Sequence, residues 1–386
     1  MEKAKPVRKD VIIYGFGIAG RWAIEKFDSV ISFVDTDKKK WGKTHKGVKV
    51  HSPDYLKTLD LTKTLVVVAA VDIFDVVPNL QRLNVSSWAS LTEFIEENDA
   101  VTNCTGESDS FLAYSIETVK NCHAAYFNES KLVLRSVDLV ITEKCTLKCK
   151  DCANLMQFFD SPRNFDSKDI LLGINLLTDK CDAINEVRVI GGEPFLNKSI
   201  YSILDALINI ENIHAIVIYT NGMIPPKAEH AQLLQNNKIQ FSVTDYGDLA
   251  KNTSKTVEFL ERENISYRVH PPENWTDSGR IEKFNRDNEE LKDIFSKCCG
   301  KNLYTMVEDR LYRCPFAANA DSLRAVPGNP ENYVKATESA EEIRKYAYDI
   351  EFIPACNYCP GRSFDSPEIV PAIQVDSRKP IPYKKF

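Results

Sequence analysis

The stretch Val137–Phe159, VDLVITEKCTLKCKDCANLMQFF, constrains this chain more than any other. Its apolar, β-branched opening (Val137, Leu139, Val140, Ile141) predicts a buried strand, and three cysteines follow at once. Cys145, Cys149 and Cys152 stand in a C-x3-C-x2-C spacing, on a loop that also carries Lys144, Lys148 and Lys150. Three thiolates on one short loop can hold three irons of a cubane and leave the fourth iron open to a small molecule. Zinc is the rival, but a structural zinc site closes with four ligands, and no fourth Cys or His lies nearby in the sequence. Three ordinary buried cysteines are the plain alternative.

From Val137 onward, strand and helix patterns alternate, which predicts a parallel α/β domain. Strand one carries the cysteine loop. A helix over Ser167–Thr178 follows, with Ile170, Leu171, Ile174 and Leu177 on one face. Strand two, Glu186–Pro194, ends in Gly191-Gly192-Glu193-Pro194, and Tyr201–Asn209 reads as the next helix. Strand three, Ala215–Tyr219, ends in Thr220-Asn221-Gly222; strand four, Ile239–Val243, ends in Thr244-Asp245-Tyr246-Gly247. After a helix over Ser254–Glu263, strand five, Ser266–His270, ends in Pro271-Pro272. Polar and glycine residues thus recur at the C-terminal ends of strands, where parallel α/β barrels place their sites. Asp245, Tyr246, Arg268 and His270 are candidate bases or binding groups at that rim. For each, a solvated loop residue or a structural strand residue is the alternative.

The cysteine spacing after a first strand, with GGEP about forty residues later, resembles the radical S-adenosylmethionine (SAM) superfamily. The resemblance implies a [4Fe–4S] cluster on Cys145, Cys149 and Cys152, with SAM chelating the fourth iron. Reductive cleavage of SAM would then give a 5′-deoxyadenosyl radical, with the electron coming from an external donor such as flavodoxin or ferredoxin. It further implies that Gly191, Gly192, Glu193 and Pro194 meet the SAM amino group, with Glu193 as the acid. Thr220, Asn221 and Ser242 would line the ribose and carboxylate. Asp151 stands before the third cysteine, where an aromatic is usual, and this bears on the adenine contact.

The first hundred residues read as a separate unit. Val11–Tyr14 is a short strand that runs into Gly15-Phe16-Gly17-Ile18-Ala19-Gly20; a helix (Arg21–Phe27) and a strand (Val30–Val34) ending at Asp35 follow. Such glycines let a phosphate approach a helix N-terminus, and the acid suits a ribose hydroxyl. Thr64–Val71 is a third, apolar strand, and Leu91–Glu97 a closing helix. The unit resembles nucleotide-sugar-binding domains of sugar-modifying enzymes, including FVDTDKKKWGK (Phe33–Lys43) and VHSPDYL (Val50–Leu56). Gly15, Gly17, Gly20 and Asp35 would then take a nucleotide or nucleotide sugar; a docking domain that binds nothing is the alternative. Residues 101–135 read as a polar linker with one helix (Phe111–Val119) and two isolated cysteines, Cys104 and Cys122.

A second cysteine set closes the chain: Cys298, Cys299, Cys314, Cys356 and Cys359. Leu303–Val307 and Arg310–Tyr312 read as a hairpin turning at Glu308-Asp309, with a cysteine before it and another after it. With the distant Cys356-x2-Cys359, four thiolates suffice for a complete [4Fe–4S] site or a zinc ribbon. Cys299 is taken as the first ligand and Cys298 as its alternative. The arrangement resembles the twitch domain of radical SAM enzymes, a shortened SPASM domain with one auxiliary cluster. Cys181 reads as a packing residue.

The expected fold is α/β: a Rossmann-like domain (1–100), a linker (101–135), a partial (β/α)6 TIM-like barrel (136–290) and a twitch domain (291–386). A net charge of −6 gives no electrostatic case for nucleic acid or an anionic membrane. No apolar run approaches the roughly eighteen residues of a membrane span. Eleven cysteines behind a charged N-terminus with no signal pattern predict metal rather than disulfides, and a reducing cytoplasm. The expected activity is oxidation, epimerisation or deoxygenation of a sugar-like or nucleotide-linked small molecule. A SPASM-type peptide maturase and a non-catalytic metal-binding scaffold are the alternatives.

Overall fold

The computed structural model describes residues 10–96, 103–363, 366–376 and 381–386. The chain divides into two compact units, Met1–Lys131 and Leu132–Phe386.

In the first unit, six strands form one sheet in the order β3-β4-β2-β1-β5-β6. They are β1 (Asp10–Tyr14), β2 (Val30–Val34), β3 (Thr44–His45), β4 (Val48–His51), β5 (Thr64–Val68) and β6 (Trp88–Ser90). All pair in parallel except the β3–β4 hairpin. Parallel strands need both faces covered. Val11, Ile13 and Val67 pack with α1 (Ile18–Ala23) on one side; Ile12, Tyr14, Val66 and Val68 pack with α2 (Ile73–Arg82) on the other. The expected closing helix is a single 3₁₀ turn, Leu91–Phe94, held by a Ser90–Glu93 capping box; Glu97 lies outside the described residues. The expected linker helix is longer and has another role. As α3 (Asp109–Phe127) it buries Leu112, Ile116 and Val119 in the first unit's core. Polar Thr118 and His123 are buried along with them, so the packed face is not marked by an apolar stripe in the sequence. The expected domain edge at residue 100 falls outside the described residues.

The second unit is a partial TIM-like α/β fold built on an eight-stranded sheet, in the order β11-β10-β9-β8-β7-β13-β14-β15. Its parallel part comprises β7 (Val133–Thr142), β8 (Ala183–Gly191), β9 (Ile213–Thr220), β10 (Ile239–Thr244) and β11 (Tyr267–His270). Helices α4 (Ser167–Thr178), α5 (Ile200–Ile208), α6 (Ala231–Leu234) and α7 (Thr253–Arg262) fall between or after these strands. Asp166 caps α4 by accepting Lys168 N–H at 2.8 Å, and Ile170, Ile174 and Leu177 go fully into the core. Each such side chain contributes about 1.5–3 kcal/mol of burial.

The C-terminal hairpin does not form a separate body. Strand β13 (Tyr304–Val307) pairs in parallel with β7, Thr305 lying opposite Asp138. It turns through Glu308, at φ +53°, into antiparallel β14 (Arg310–Tyr312), and β15 (Tyr333–Lys335) follows at the sheet edge. A two-stranded ribbon joins β12 (Trp275–Thr276) to β16 (Glu368–Ile369). Helices α8 (Asn288–Ser296), α9 (Pro315–Ser322) and α10 (Ala340–Tyr348) complete the unit.

Candidate active site at the strand ends

The end of β8 runs hard against the cysteine loop. Gly192 N–H donates to Thr142 O at 3.1 Å, and Glu193 N–H to Lys144 O at 2.8 Å. A Cβ on Gly191 would sit 2.1 Å from Thr142 O; one on Gly192 would sit 2.2 Å from Lys144 O and 2.7 Å from Cys145 Cβ. No side chain fits there. The paired glycines let the second strand end press on the loop that carries the thiols.

Glu193 is fully buried. Its carboxylate accepts Thr220 Oγ1–H (2.9 Å to each oxygen), Asn221 N–H (2.9 Å) and Phe195 N–H (3.3 Å). Among the described residues no cationic side chain pairs with it, and burial pushes its pKa up to about 7. Glu193 therefore ties the end of β8 to the end of β9. Asn221 continues the tie: its Nδ2 donates to Thr146 Oγ1 at 2.9 Å and lies 3.9 Å from Cys145 Sγ. Pro194 starts the 3₁₀ turn Pro194–Leu196.

Cys145, Cys149 and Cys152 are free thiols with little exposure. Burial pushes Cys145 up to about 12 and Cys149 up to about 11, and raises Cys152. Without metal these groups hold their protons; a cluster would displace three of them. Leu147 N–H donates to Cys145 Sγ at 3.4 Å.

Tyr246 belongs to this group. Burial first, then the nearby Cys149, Cys152 and Cys145, raises its phenol above the usual range. Its ring meets Trp275 edge-on at 6.4 Å. Ser242 Oγ and His270 Nε2 lie 3.1 Å apart, with Arg268 opposite Ser242 in the β10–β11 register. His270 and Arg268 are exposed. Asp245 is exposed and accepts Gly247 N–H at 2.9 Å, a local turn contact.

The sequence reading missed the face below this rim. Registers place Asp138 opposite Arg188, Ser136 opposite Glu186, and Tyr219 opposite Ser242. The alternate positions Val137, Leu139, Val187 and Val189 sit in the core, so the charged set shares the other face of the sheet. Arg188 Nε lies 2.6 Å from Asp138 Oδ1 and 3.7 Å from Glu186 Oε1, with its guanidinium 5.8 Å from the Tyr219 ring. Asp138 is only 4% exposed, and burial lifts it to about 6 despite Arg188. Arg188 Nη2 is buried without a hydrogen-bond partner. Parallel sheets are ordinarily apolar on both faces, whereas here Asp138, Glu186 and Arg188 pair with one another on one face. The signal was present in the alternation of V-D-L and E-V-R-V-I.

The second cysteine set surrounds a small cavity lined by Cys298, Cys314, Cys356 and Cys359, with Phe295, Phe316 and Ile353 among its apolar walls. Cys298, not the expected Cys299, faces it. The reason is backbone pairing: Cys299 N–H donates to Arg362 O at 2.6 Å and Cys298 bridges to Ser363, which turns Cys298 Sγ inward. Burial raises Cys314 to about 11 and Cys359 to about 12, and raises Cys298 and Cys356. Arg286 Nη1 clamps the C-x2-C turn by donating to Cys356 O (2.7 Å) and Cys359 O (2.8 Å). Cys145 and Cys152 from one set, and Cys314 and Cys359 from the other, pack on one apolar cluster that includes Phe158, Phe159 and Phe316.

The radical SAM superfamily profile matches residues 139–273. This part of the chain is a radical SAM domain. GTP 3′,8-cyclases of Staphylococcus carnosus (28% identity over 106 residues) and Clostridium acetobutylicum (31% over 97 residues) are similar to it. Those matches cover 26% and 24% of this chain, and the chain spans 30% of each cyclase's length. Among solved structures, BtrN in complex with AdoMet and 2-DOIA aligns at TM-score 0.40 and 14% identity, over 60% of this chain and 94% of that one. Streptococcus suis SuiB bound to S-adenosylmethionine aligns at 0.32 and 16%, over 50% and 42%.

The radical SAM family uses a [4Fe–4S] cluster and SAM, and the loop fits that group. It offers three soft donors from one short segment, Cys149 buried and Cys145 and Cys152 partly buried, in a cradle that a Cβ on Gly192 would fill. Among the described residues no three His, Cys, Asp or Glu side chains converge on a single-ion site.

In the first unit, Asp35, the residue expected at a ribose, is engaged by the glycine turn itself. It accepts Phe16 N–H (2.7 Å), Asp37 N–H (2.9 Å) and Lys40 Nζ–H (3.0 Å) and is nearly buried. Gly15 stands at φ +114° against Ala70, and Gly20 abuts Gly15 O, so both serve the strand–helix packing. Gly17 faces open space.

Proposed function

We propose that the chain is a radical SAM oxidoreductase acting on a polar small molecule, sugar-like or nucleotide-linked, with a second [4Fe–4S] cluster as its electron acceptor. The observation that carries this reading is the second thiol set, Cys298, Cys314, Cys356 and Cys359, around one cavity and sharing an apolar cluster with the first. When bound, the two clusters and SAM would supply a 5′-deoxyadenosyl radical that takes a hydrogen atom from a carbinol carbon, and an acceptor for the remaining electron as the hydroxyl proton leaves and a ketone forms.

The chain's own residues divide the work. Cys145, Cys149 and Cys152 hold the first cluster, while Gly191, Gly192, Glu193, Thr220 and Asn221 set the strand ends against it. Asp138, Glu186, Arg188 and Tyr219 receive the polar groups of the substrate. Asp138, lifted to about 6, is suited to take a hydroxyl proton near neutral pH. The apolar wall of Phe158, Phe159 and Phe316 excludes water between the cysteine groups. Flavodoxin or ferredoxin would supply the first electron.

Anaerobic reconstitution with iron and sulfide, followed by SAM and dithionite, tests the proposal. It should give 5′-deoxyadenosine, and Cys314→Ala should keep that product while net substrate oxidation disappears. Oxidation that continues in Cys314→Ala would refute the acceptor role; no 5′-deoxyadenosine at all would refute the enzyme.

A further inference from the structure

The last stretch of the chain returns to the first cysteine loop. Residues 373–375 lie antiparallel to 148–150: Lys150 N–H donates to Ile373 O at 2.7 Å, Val375 N–H to Lys148 O at 2.8 Å, and Cys149 and Gln374 form a bridge. The Gln374 side chain completes this pairing in a fixed orientation. Its Oε1 accepts Lys148 N–H at 2.8 Å, and its Nε2 donates to Ala372 O at 2.8 Å. One partner can only donate and the other only accept, so the amide cannot be flipped. The same Nε2 lies 3.2 Å from Cys149 Sγ and donates to it.

We propose that Gln374 is a positioning residue that sets the reduction potential of the SAM-binding cluster through this N–H···S bond. The inference rests on the reading that Cys145, Cys149 and Cys152 hold a [4Fe–4S] cluster. Hydrogen bonds to cluster sulfurs tune its potential. The physical reason is that negative charge on the thiolate grows when the cluster takes an electron, so a donor stabilises the reduced form more. Gln374 thus eases reduction by an external donor. It does so from an exposed position, and its replacement removes no core packing.

The test uses the full chain, reconstituted anaerobically, with the cluster's potential read by EPR-monitored redox titration before SAM is added. The signal is assigned as the one that changes when SAM follows. Gln374→Leu fills the space without a donor and keeps water away from the sulfur. At the potential where the wild type is half reduced, the reduced-to-oxidised ratio should fall about tenfold, a shift of about 59 mV toward more negative values for one electron. Gln374→Glu still accepts Lys148 N–H but adds a negative charge, so it should shift further the same way. Loaded variants with unmoved potentials would overturn the inference while leaving the enzyme reading intact. Variants that lose the cluster outright would overturn it too, since Gln374 would then merely hold the loop. A wild-type chain that takes up no iron would defeat the enzyme reading itself.

Discussion

Asp138 and Arg188 are a buried pair in which burial outweighs attraction: Asp138 sits at about 6, above its ordinary 3.8, even beside the guanidinium. Removing Arg188 strands the carboxylate and should lift Asp138 further. A carboxyl raised in the folded state contributes stability below its unfolded pKa and loses it as pH climbs through the folded value. Arg188→Met should therefore cost about 3 kcal/mol at pH 8 and markedly less at pH 5, where Asp138 takes a proton. Urea denaturation at the two pH values measures this, and a loss independent of pH would contradict it. At this scale the sequence was half legible. Cys145, Cys149, Cys152 and the GGEP turn declared themselves by spacing. Asp138, Arg188 and Gln374 did not, because their meaning depends on which strand lies opposite and on a contact between residues 149 and 374.

Among the elements, the strands were the most readable, because β-branched runs bounded by glycine and polar ends leave few other choices. β2 and α4 fall on the boundaries the pattern gives. α3 was not readable: its apolar stripe is thin, and only packing against β1 and β5 reveals its role. That Cys298 rather than Cys299 lines the cavity likewise follows from the pairing with residues 362 and 363. Two outcomes follow. Cys298→Ala should lower iron from roughly eight to about four per chain, whereas Cys299→Ala should leave the content unchanged; colorimetric iron and sulfide assays separate them. Gly192→Ala, whose Cβ would collide with Lys144 O and Cys145 Cβ, should displace the first cysteine loop and abolish SAM cleavage with the circular dichroism spectrum retained.

For the whole molecule, the compact division falls after Lys131, later than composition suggests, because α3 belongs with the strands before it. Residues 132–386 expressed alone should fold and, after reconstitution, cleave SAM with dithionite at a rate close to that of the full chain. A fragment that is insoluble or iron-free would show that the first unit is needed to fold the second. The same division kept the hairpin and the radical SAM strands in one body. Strand β13 is hydrogen-bonded to β7, the strand that leads into Cys145. Cys145 follows β7 and Cys314 follows β14, so both thiol groups hang from one hydrogen-bonded sheet. An electron leaving a substrate radical for the second cluster would then cross a gap set by that shared sheet, and thickening the solvent with glycerol should not slow its passage.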